Sequence, residues 1–190
     1  MDKALEILKK LEKMGEEKFI PSIGPMKGKI LAKVFKEHNP KTILEIGTLF
    51  GYSAILMATL AKGNGKIKTI EVREDCAEKA LLNIKKAGLS SQIELLVGNA
   101  LEIIPTLNET FDLLFLDADK KEYFDYFTLA KKNLKKRSVV VADNVCIFKK
   151  DMLNYLDFIR NSDNFESKTI DVPLEFSENV PDAMEISVKI

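Results

Sequence analysis

An α/β sandwich with a mainly parallel sheet is the fold class that this sequence predicts, and three observations carry it. Short apolar runs alternate with amphipathic, helix-length stretches from Thr42 onward. Two of those runs, Leu113-Leu114-Phe115-Leu116 and Val139-Val140-Val141, are continuously apolar, as strands covered on both faces must be. The chain has 190 residues, 46% of them hydrophobic, which suits one domain with a real core.

The elements follow in order. Residues 2–14 place Ala4, Ile7, Leu8, Leu11 and Met14 at helical spacing. A break follows at Pro21-Ser22-Ile23-Gly24-Pro25. A second amphipathic helix carries Ile30, Leu31, Val34 and Phe35 and ends near Asn39-Pro40. Residues 1–40 therefore read as an N-terminal helical appendage, and 41–190 as the α/β core of a single domain. In the core, Thr42–Ile46 is a first strand, followed by glycine-rich sequence and a helix around Tyr52–Ala61. Lys66–Glu71 is a second strand, and a helix over Asp75–Ala87 stops at Gly88. Ile93–Val97 is a third strand. Phe111–Asp117 is a fourth, with a helix running on to about Leu134. Ser138–Asp143 is a fifth, and Leu153–Arg160 is helical. Phe165–Val172 and Met184–Ile190 are two last strands joined by about a dozen residues without a helix, which favours an antiparallel hairpin at the sheet edge.

Composition excludes several functions. Lys plus Arg and Asp plus Glu both number 29, so the net charge is zero, which disfavours a bulk electrostatic binder of nucleic acid. His38 is the single histidine and reads as a helix-end residue; zinc sites built on several histidines are excluded, and a Ser-His-Asp hydrolase is disfavoured. Cys76 and Cys146 are too few for a disulfide framework, so a reduced, cytoplasmic chain is expected. No apolar run is long enough for a membrane span, and the charged, periodic N-terminus does not read as a leader.

The turn Glu45-Ile46-Gly47-Thr48-Leu49-Phe50-Gly51-Tyr52-Ser53 lies between a strand and a helix, where ligands of open parallel sheets bind. Gly47 permits a tight turn and close ligand approach. Gly51 opens a helix whose free N–H groups can meet a carboxylate. Glu71 ends the next strand, where a carboxylate can accept both hydroxyls of a ribose. The G-x-x-x-G spacing is not the G-x-G-x-x-G of a dinucleotide site. Glu45 would repel a pyrophosphate but suits a cationic ligand such as S-adenosylmethionine. An ordinary βα turn with a capped helix would leave the same trace.

Asp117-Ala118-Asp119-Lys120 follows the fourth strand, and Asp143-Asn144 follows the fifth. Parallel strands bring both ends to the edge that carries Gly47, so Asp117, Asp143 and Asn144 converge as three hard oxygen donors. Such a set suits Mg²⁺, or another divalent cation such as Mn²⁺ or Ca²⁺. Asp at a strand end is also a common cap or turn residue.

Taken together, Glu45–Ser53, Glu71, Gly98-Asn99-Ala100, Phe111–Lys120 and Asp143-Asn144 resemble the class I, metal-dependent O-methyltransferases of the catechol and caffeoyl-CoA type, over about residues 20–145. The resemblance implies a Rossmann-like methyltransferase sandwich, with a seven-stranded sheet of order 3-2-1-4-5-7-6 and strand seven antiparallel. It implies that Glu45, Gly47, Thr48 and Ser53 hold the methionine end of S-adenosylmethionine. Glu71 would bind the ribose, Ala100 would lie near the adenine, and Ile23 would close over the cofactor. Asp117, Asp143 and Asn144 match the metal ligands, with Asp117 also beside the cofactor, and Lys120 matches the catalytic base. The partner would be a small hydroxylated acceptor with vicinal oxygens, and homodimers are common among such relatives. Methyl transfer to oxygen needs an in-line nucleophile, and a chelated cation makes and aims one. Lys120 takes the proton only as a neutral amine, a form that a neighbouring cation favours.

Three departures from the family pattern stand out, the first bearing on the adenine contacts and the other two on the acceptor. Asn99 replaces a frequent Asp, Pro181-Asp182-Ala183 replaces a frequent Gly-Asp-Gly, and Cys146-Ile147-Phe148 lacks the usual Trp after Asp-Asn-Val. They point away from a plant-type phenol, and the short ends leave little to serve as a lid. The rival readings are a tRNA hydroxyuridine-type O-methyltransferase, a non-catalytic nucleotide-binding protein and a nicotinamide oxidoreductase. Against the first stands the neutral charge; the basic run Lys131–Arg137 reads as a solvated helix end at the edge opposite the site. Lys120 and the full set of metal positions oppose the second. The missing third glycine opposes the last.

Overall fold

The computed structural model describes residues 3–18, 20–177 and 180–190. Seven strands form one sheet of order β3-β2-β1-β4-β5-β7-β6. The strands are β1 Thr42–Ile46, β2 Lys66–Glu71, β3 Ile93–Val97, β4 Phe111–Leu116, β5 Leu134–Ala142, β6 Phe165–Pro173 and β7 Pro181–Lys189. The first five pair in parallel, while β7 runs antiparallel to both β5 and β6. This is the sheet that the resemblance implies.

Helices cover both faces because the parallel strands are apolar on both. The side-chain alternation of β4 sorts them. Leu113 and Phe115 join the layer built with α1 (Lys3–Lys18), α2 (Gly24–His38), α3 (Tyr52–Leu60) and α4 (Glu74–Ala87). Leu114 and Leu116 join the opposite layer, with α5 (Ala100–Ile103), α6 (Tyr123–Ala130) and α7 (Leu153–Asn161). In that second layer Phe127 packs edge-on against Tyr155 and Phe165, at ring separations of 5.8 and 5.5 Å. The strand order reverses at β1, between β2 and β4, and the C-terminal ends there open on the cavity described below.

Element boundaries differ from expectation in a few places. Position 2 of the first helix lies outside the described residues, and α1 runs past Met14 to Lys18. Gly15 is buried there under the ring of Phe176, which a Cβ would meet at 2.4 Å. The basic run is no helix end. Lys131–Asn133 is a single 3-10 turn, and Leu134–Arg137 already belong to β5. Leu134 pairs with Phe111, and the register shifts before Leu113 meets Val139. Ser138 spans this bulge, accepting from Lys135 N at 3.0 Å and donating to Phe111 O at 2.7 Å. Lys135, Lys136 and Arg137 are exposed at the start of β5, at the other end of that strand from Asp143. The four-residue α5 is too short to show a period, and β7 begins three residues before Met184. No helix among the described residues is long and apolar enough to cross a membrane.

Leu114 lies fully buried on a central strand. Leu114→Ala should cost about 2–5 kcal/mol, through lost burial and the cavity left behind. Urea unfolding should show it as a lower midpoint at an unchanged slope.

Candidate active site

One cavity of about 860 Å³ opens at the C-terminal ends of β1, β2, β4 and β5. Its wall includes Ile23, Gly47, Thr48, Ser53, Glu71, Ala100, Asp117, Lys120, Asp143 and Asn144. Of the residues singled out as ligand-facing, Gly51 and Glu45 are not on the wall; Glu45 is the one with a charged side chain. It lies one layer behind, fully buried.

The β1 turn is built by close packing. Gly47 has φ 99, and a Cβ there would fall 2.1 Å from the carbonyl oxygen of Asp117, so only glycine lets the β1 and β4 ends approach. Gly51, at φ 87, precedes α3. Glu71 braces the turn. Its Oε2 accepts from Leu49 N at 2.7 Å and its Oε1 from Arg73 N at 3.0 Å. Behind them Thr69 Oγ1 donates to Glu45 Oε2 at 2.5 Å and is bonded in turn to Thr48 Oγ1. Among the described residues Glu45 Oε1 is buried without a well-aligned partner. Burial pushes the Glu45 carboxyl up to about 7; the Ser53 and Thr69 hydroxyls pull the other way, and the charges of Asp117 and Glu71 push further. A buried acid short of one donor is a place for a cationic ligand end. On the far side Asn99 caps α5, its Oδ1 accepting from Leu101 N at 2.9 Å, so this departure keeps the capping role of an Asp.

The acidic strand ends meet as expected. Lys120 Nζ donates to Asp117 Oδ1 and to Tyr123 Oη, both at 2.8 Å. Tyr123 is fully buried and donates to Leu116 O at 2.9 Å and, more weakly, to Asp143 O at 3.3 Å. The tyrosine thus ties Lys120 to the ends of both β4 and β5. Asn144 takes φ 59, a left-handed conformation that asparagine tolerates, and its N–H meets Asp143 Oδ1 at 2.7 Å. Burial and then the charge of Asp117 hold the Asp143 carboxyl above its ordinary range despite nearby Lys27 and Lys120. The cluster therefore gains from further positive charge.

Three residues of the site escaped the sequence reading. Lys27 is buried and sets Nζ 2.6 Å from Asp143 Oδ1 and 2.7 Å from Asp182 Oδ2. The signal was present: Gly24, Lys27, Gly28, Leu31, Val34 and Phe35 form the buried stripe of α2, with a lysine on the inner face. Asp182, noted only as part of a departure, lies on β7 and faces inward. Glu175, between β6 and β7, accepts from Met26 N through Oε1 and keeps Oε2 buried without a partner among the described residues. A Cβ on Gly24 would strike its side chain at 2.1 Å. Wall is also supplied by Leu11 of α1, by Ile20 to Ile23 and by Leu174 to Ser177, so α1, the loop before α2 and the segment after β6 contribute cover over the cavity.

A family model described as O-methyltransferase matches residues 2–172. A catechol O-methyltransferase of Niastella koreensis is 41% identical over 128 residues, covering 65% of this chain and 58% of that protein. The mouse catechol O-methyltransferase is 31% identical over 180 residues, covering 91% of this chain and 67% of that protein. The match thus spans less than two thirds of the Niastella relative. Among solved structures, an O-methyltransferase from Bacillus cereus in complex with SAH superposes with a TM-score of 0.86 at 25% identity, covering 100% of this chain and 92% of that one.

Glu45 gives a pH signature. Its carboxyl binds a proton more tightly in the folded chain, at about 7, than at the ordinary 4.5. Folding is therefore favoured below the ordinary value, and stability is lost as pH rises through the folded one. Glu45→Gln removes the penalty, worth up to roughly 3 kcal/mol for such a shift. The expected result, for protein without added ligand, is a higher Tm for the variant than for wild type at mildly alkaline pH. Melting across a pH series should show the gap closing as pH falls between the two values.

Proposed function

The chain belongs to the O-methyltransferase family, and from that premise we propose that it transfers the methyl group of S-adenosylmethionine to a hydroxyl of a small, chelating, catechol-like acceptor, assisted by a divalent cation. The observation that carries this reading is Lys120 hydrogen-bonded beside Asp117 on the same wall as Asp143, Asn144, Gly47 and Glu71.

The residues fit S-adenosylmethionine. Glu71 is placed for a ribose at the end of β2, where its carboxylate is already oriented by two backbone N–H groups. Glu45 lends negative charge from behind the turn, and Ile23 covers from the loop before α2. Val72, exposed beside Glu71, and Ala100 offer apolar contact to a purine. The relative solved with SAH supports the same assignment.

The residues also fit a divalent cation. Among the described residues no three His, Cys, Asp or Glu side chains form a metal cluster; the set here is two carboxylates and one amide oxygen, all hard donors. Asp117 and Asp143 carry their hydrogen bonds on Oδ1, so Oδ2 of each is available. When bound, the cation would acidify the acceptor hydroxyl and fix its direction.

The chain's own groups do the rest. Two of the three N–H positions of Lys120 are spent on Asp117 and Tyr123, and the third is left for the cavity. As a neutral amine, Nζ presents its lone pair there and takes the proton of the reacting hydroxyl. Tyr123, kept protonated by burial, holds that nitrogen in place throughout. Glu175 would border the acceptor from the segment between β6 and β7. Leu11, Phe176 and Phe148 would border the acceptor's ring and exclude water.

The test is transfer of labelled methyl from S-adenosylmethionine to 3,4-dihydroxybenzoate. Transfer should stop with EDTA and return with Mg²⁺, and Asp143→Ala should abolish it. Lys120→Ala should lower kcat by about 10²–10⁴-fold with cofactor affinity unchanged. Transfer that survives both EDTA and Asp143→Ala would overturn the metal-assisted part, and failure to bind S-adenosylmethionine would overturn the whole.

A further inference from the structure

Behind the cation position lies a chain of bonds that the reaction described above does not use. Asp182 accepts at Oδ2 from Asn144 Nδ2 and from Lys27 Nζ, both at 2.7 Å, and at Oδ1 from the backbone N–H of Ile147 at 3.2 Å. Lys27 also bonds Asp143 Oδ1 at 2.6 Å. Relative exposure is 1% for Lys27, 2% for Asp182, 3% for Asp143 and 8% for Asn144, so water cannot substitute freely for these partners.

A primary amide can turn either its oxygen or its nitrogen to a given neighbour. An ionised carboxylate can only accept, so it selects the nitrogen. Asp182 therefore takes Nδ2 of Asn144 and leaves Oδ1 for the cavity that Asn144 lines. We propose that Asp182 is a positioning residue, fixing the Asn144 amide so that Oδ1 rather than Nδ2 meets a divalent cation, with the Lys27 ammonium bonded to both Asp182 and Asp143. The proposal rests on the metal-dependent reading above. It also explains an asparagine at position 144: an aspartate there would set a third carboxylate against Asp143 and Asp182 with one buried ammonium between them.

The experiment titrates Mn²⁺ alone into the full chain and follows free Mn²⁺ by electron paramagnetic resonance. S-adenosylmethionine affinity and Tm are measured alongside. Asp182→Asn frees the amide to flip and should weaken Mn²⁺ binding by about 10-fold or more, with cofactor affinity held within about twofold. Combining Asp182→Asn with Asn144→Asp moves the charge to position 144, where two equivalent oxygens make orientation irrelevant. This exchange should recover Mn²⁺ binding to within about threefold of wild type, a recovery that a merely structural role of Asp182 would not give. Asp117→Ala is the control for the metal site itself. If Asp117→Ala loses Mn²⁺ while Asp182→Asn binds as wild type, or if the exchange recovers nothing, the proposal is overturned. If Asp117→Ala binds as wild type, the metal reading fails instead. Should Asp182→Asn alone not fold, the exchange variant decides.

Discussion

Lys27 carries its ammonium inward from α2 and sets it between Asp143 after β5 and Asp182 on β7. Burial alone would lower its proton affinity, but Asp143 and then Asp182 outweigh that, so the side chain stays charged. Taking such ions out of water costs several kcal/mol each, and removing one partner from a buried set typically costs about 3–5 kcal/mol. The arrangement is therefore all-or-nothing. α2 cannot lift from the sheet without stranding two carboxylates, and the loop before it, with Ile23, is held against the cavity as a result. The same ammonium also lowers the net negative charge of the pocket. Asp117, Asp143 and Asp182 would repel one another without it, and Lys120 pairs directly only with the outermost of them.

Much of this architecture was legible because parallel sheets write a coarse signal. Strands such as Leu113–Leu116 are apolar on both faces, and each is followed by an amphipathic stretch, so element type and order follow from composition. The Gly47 turn and the Asp-rich strand ends are equally local. They lie within a few residues of a strand end, and topology alone brings them to one edge. Lys27, Asp182 and Glu175 were hidden for the opposite reason. Their meaning depends on partners up to 155 residues away, and a lysine in Lys-Gly-Lys or an acid in a polar hairpin looks like solvated surface. The start of β5 was lost to composition. Lys135, Lys136 and Arg137 are exposed and carry no strand alternation, while the pairing that makes them strand comes from Phe111.

The acids at the strand ends divide by solvation rather than by position. Glu71 and Glu45 lie on neighbouring strands, yet Glu71 reaches the cavity wall with two backbone N–H groups on its oxygens, while Glu45 is sealed behind the turn. A carboxylate braced by N–H groups is fixed in direction and suits a ligand that donates two hydrogen bonds. A sealed carboxylate has lost its water and gains most from a positive charge nearby, because low dielectric strengthens that attraction. Under the proposed function the two acids would therefore serve different ends of one ligand. A pyrophosphate would push the Glu45 carboxyl further towards its neutral form and draw no attraction from it, whereas a cationic end would favour the charged one.

Cover over the cavity follows from the same economy of small residues. Gly15 on α1 admits the Phe176 ring, and Gly24 at the start of α2 admits the Glu175 side chain. Both contacts dock the segment between β6 and β7 onto the N-terminal helices, and Phe176 adopts a left-handed φ of 57 to make them. Because Lys27 fixes α2 and Asp182 opens β7 from the other end of that segment, the cover is anchored on both sides by one charge network. The segment between β6 and β7 and the strand end at Asp143-Asn144 therefore share one set of charged contacts. A change that loosens Lys27 or Asp182 would be felt at Asn144 and at Glu175 together, and under the proposed function this would couple the acceptor's surroundings to the geometry of the groups that activate it.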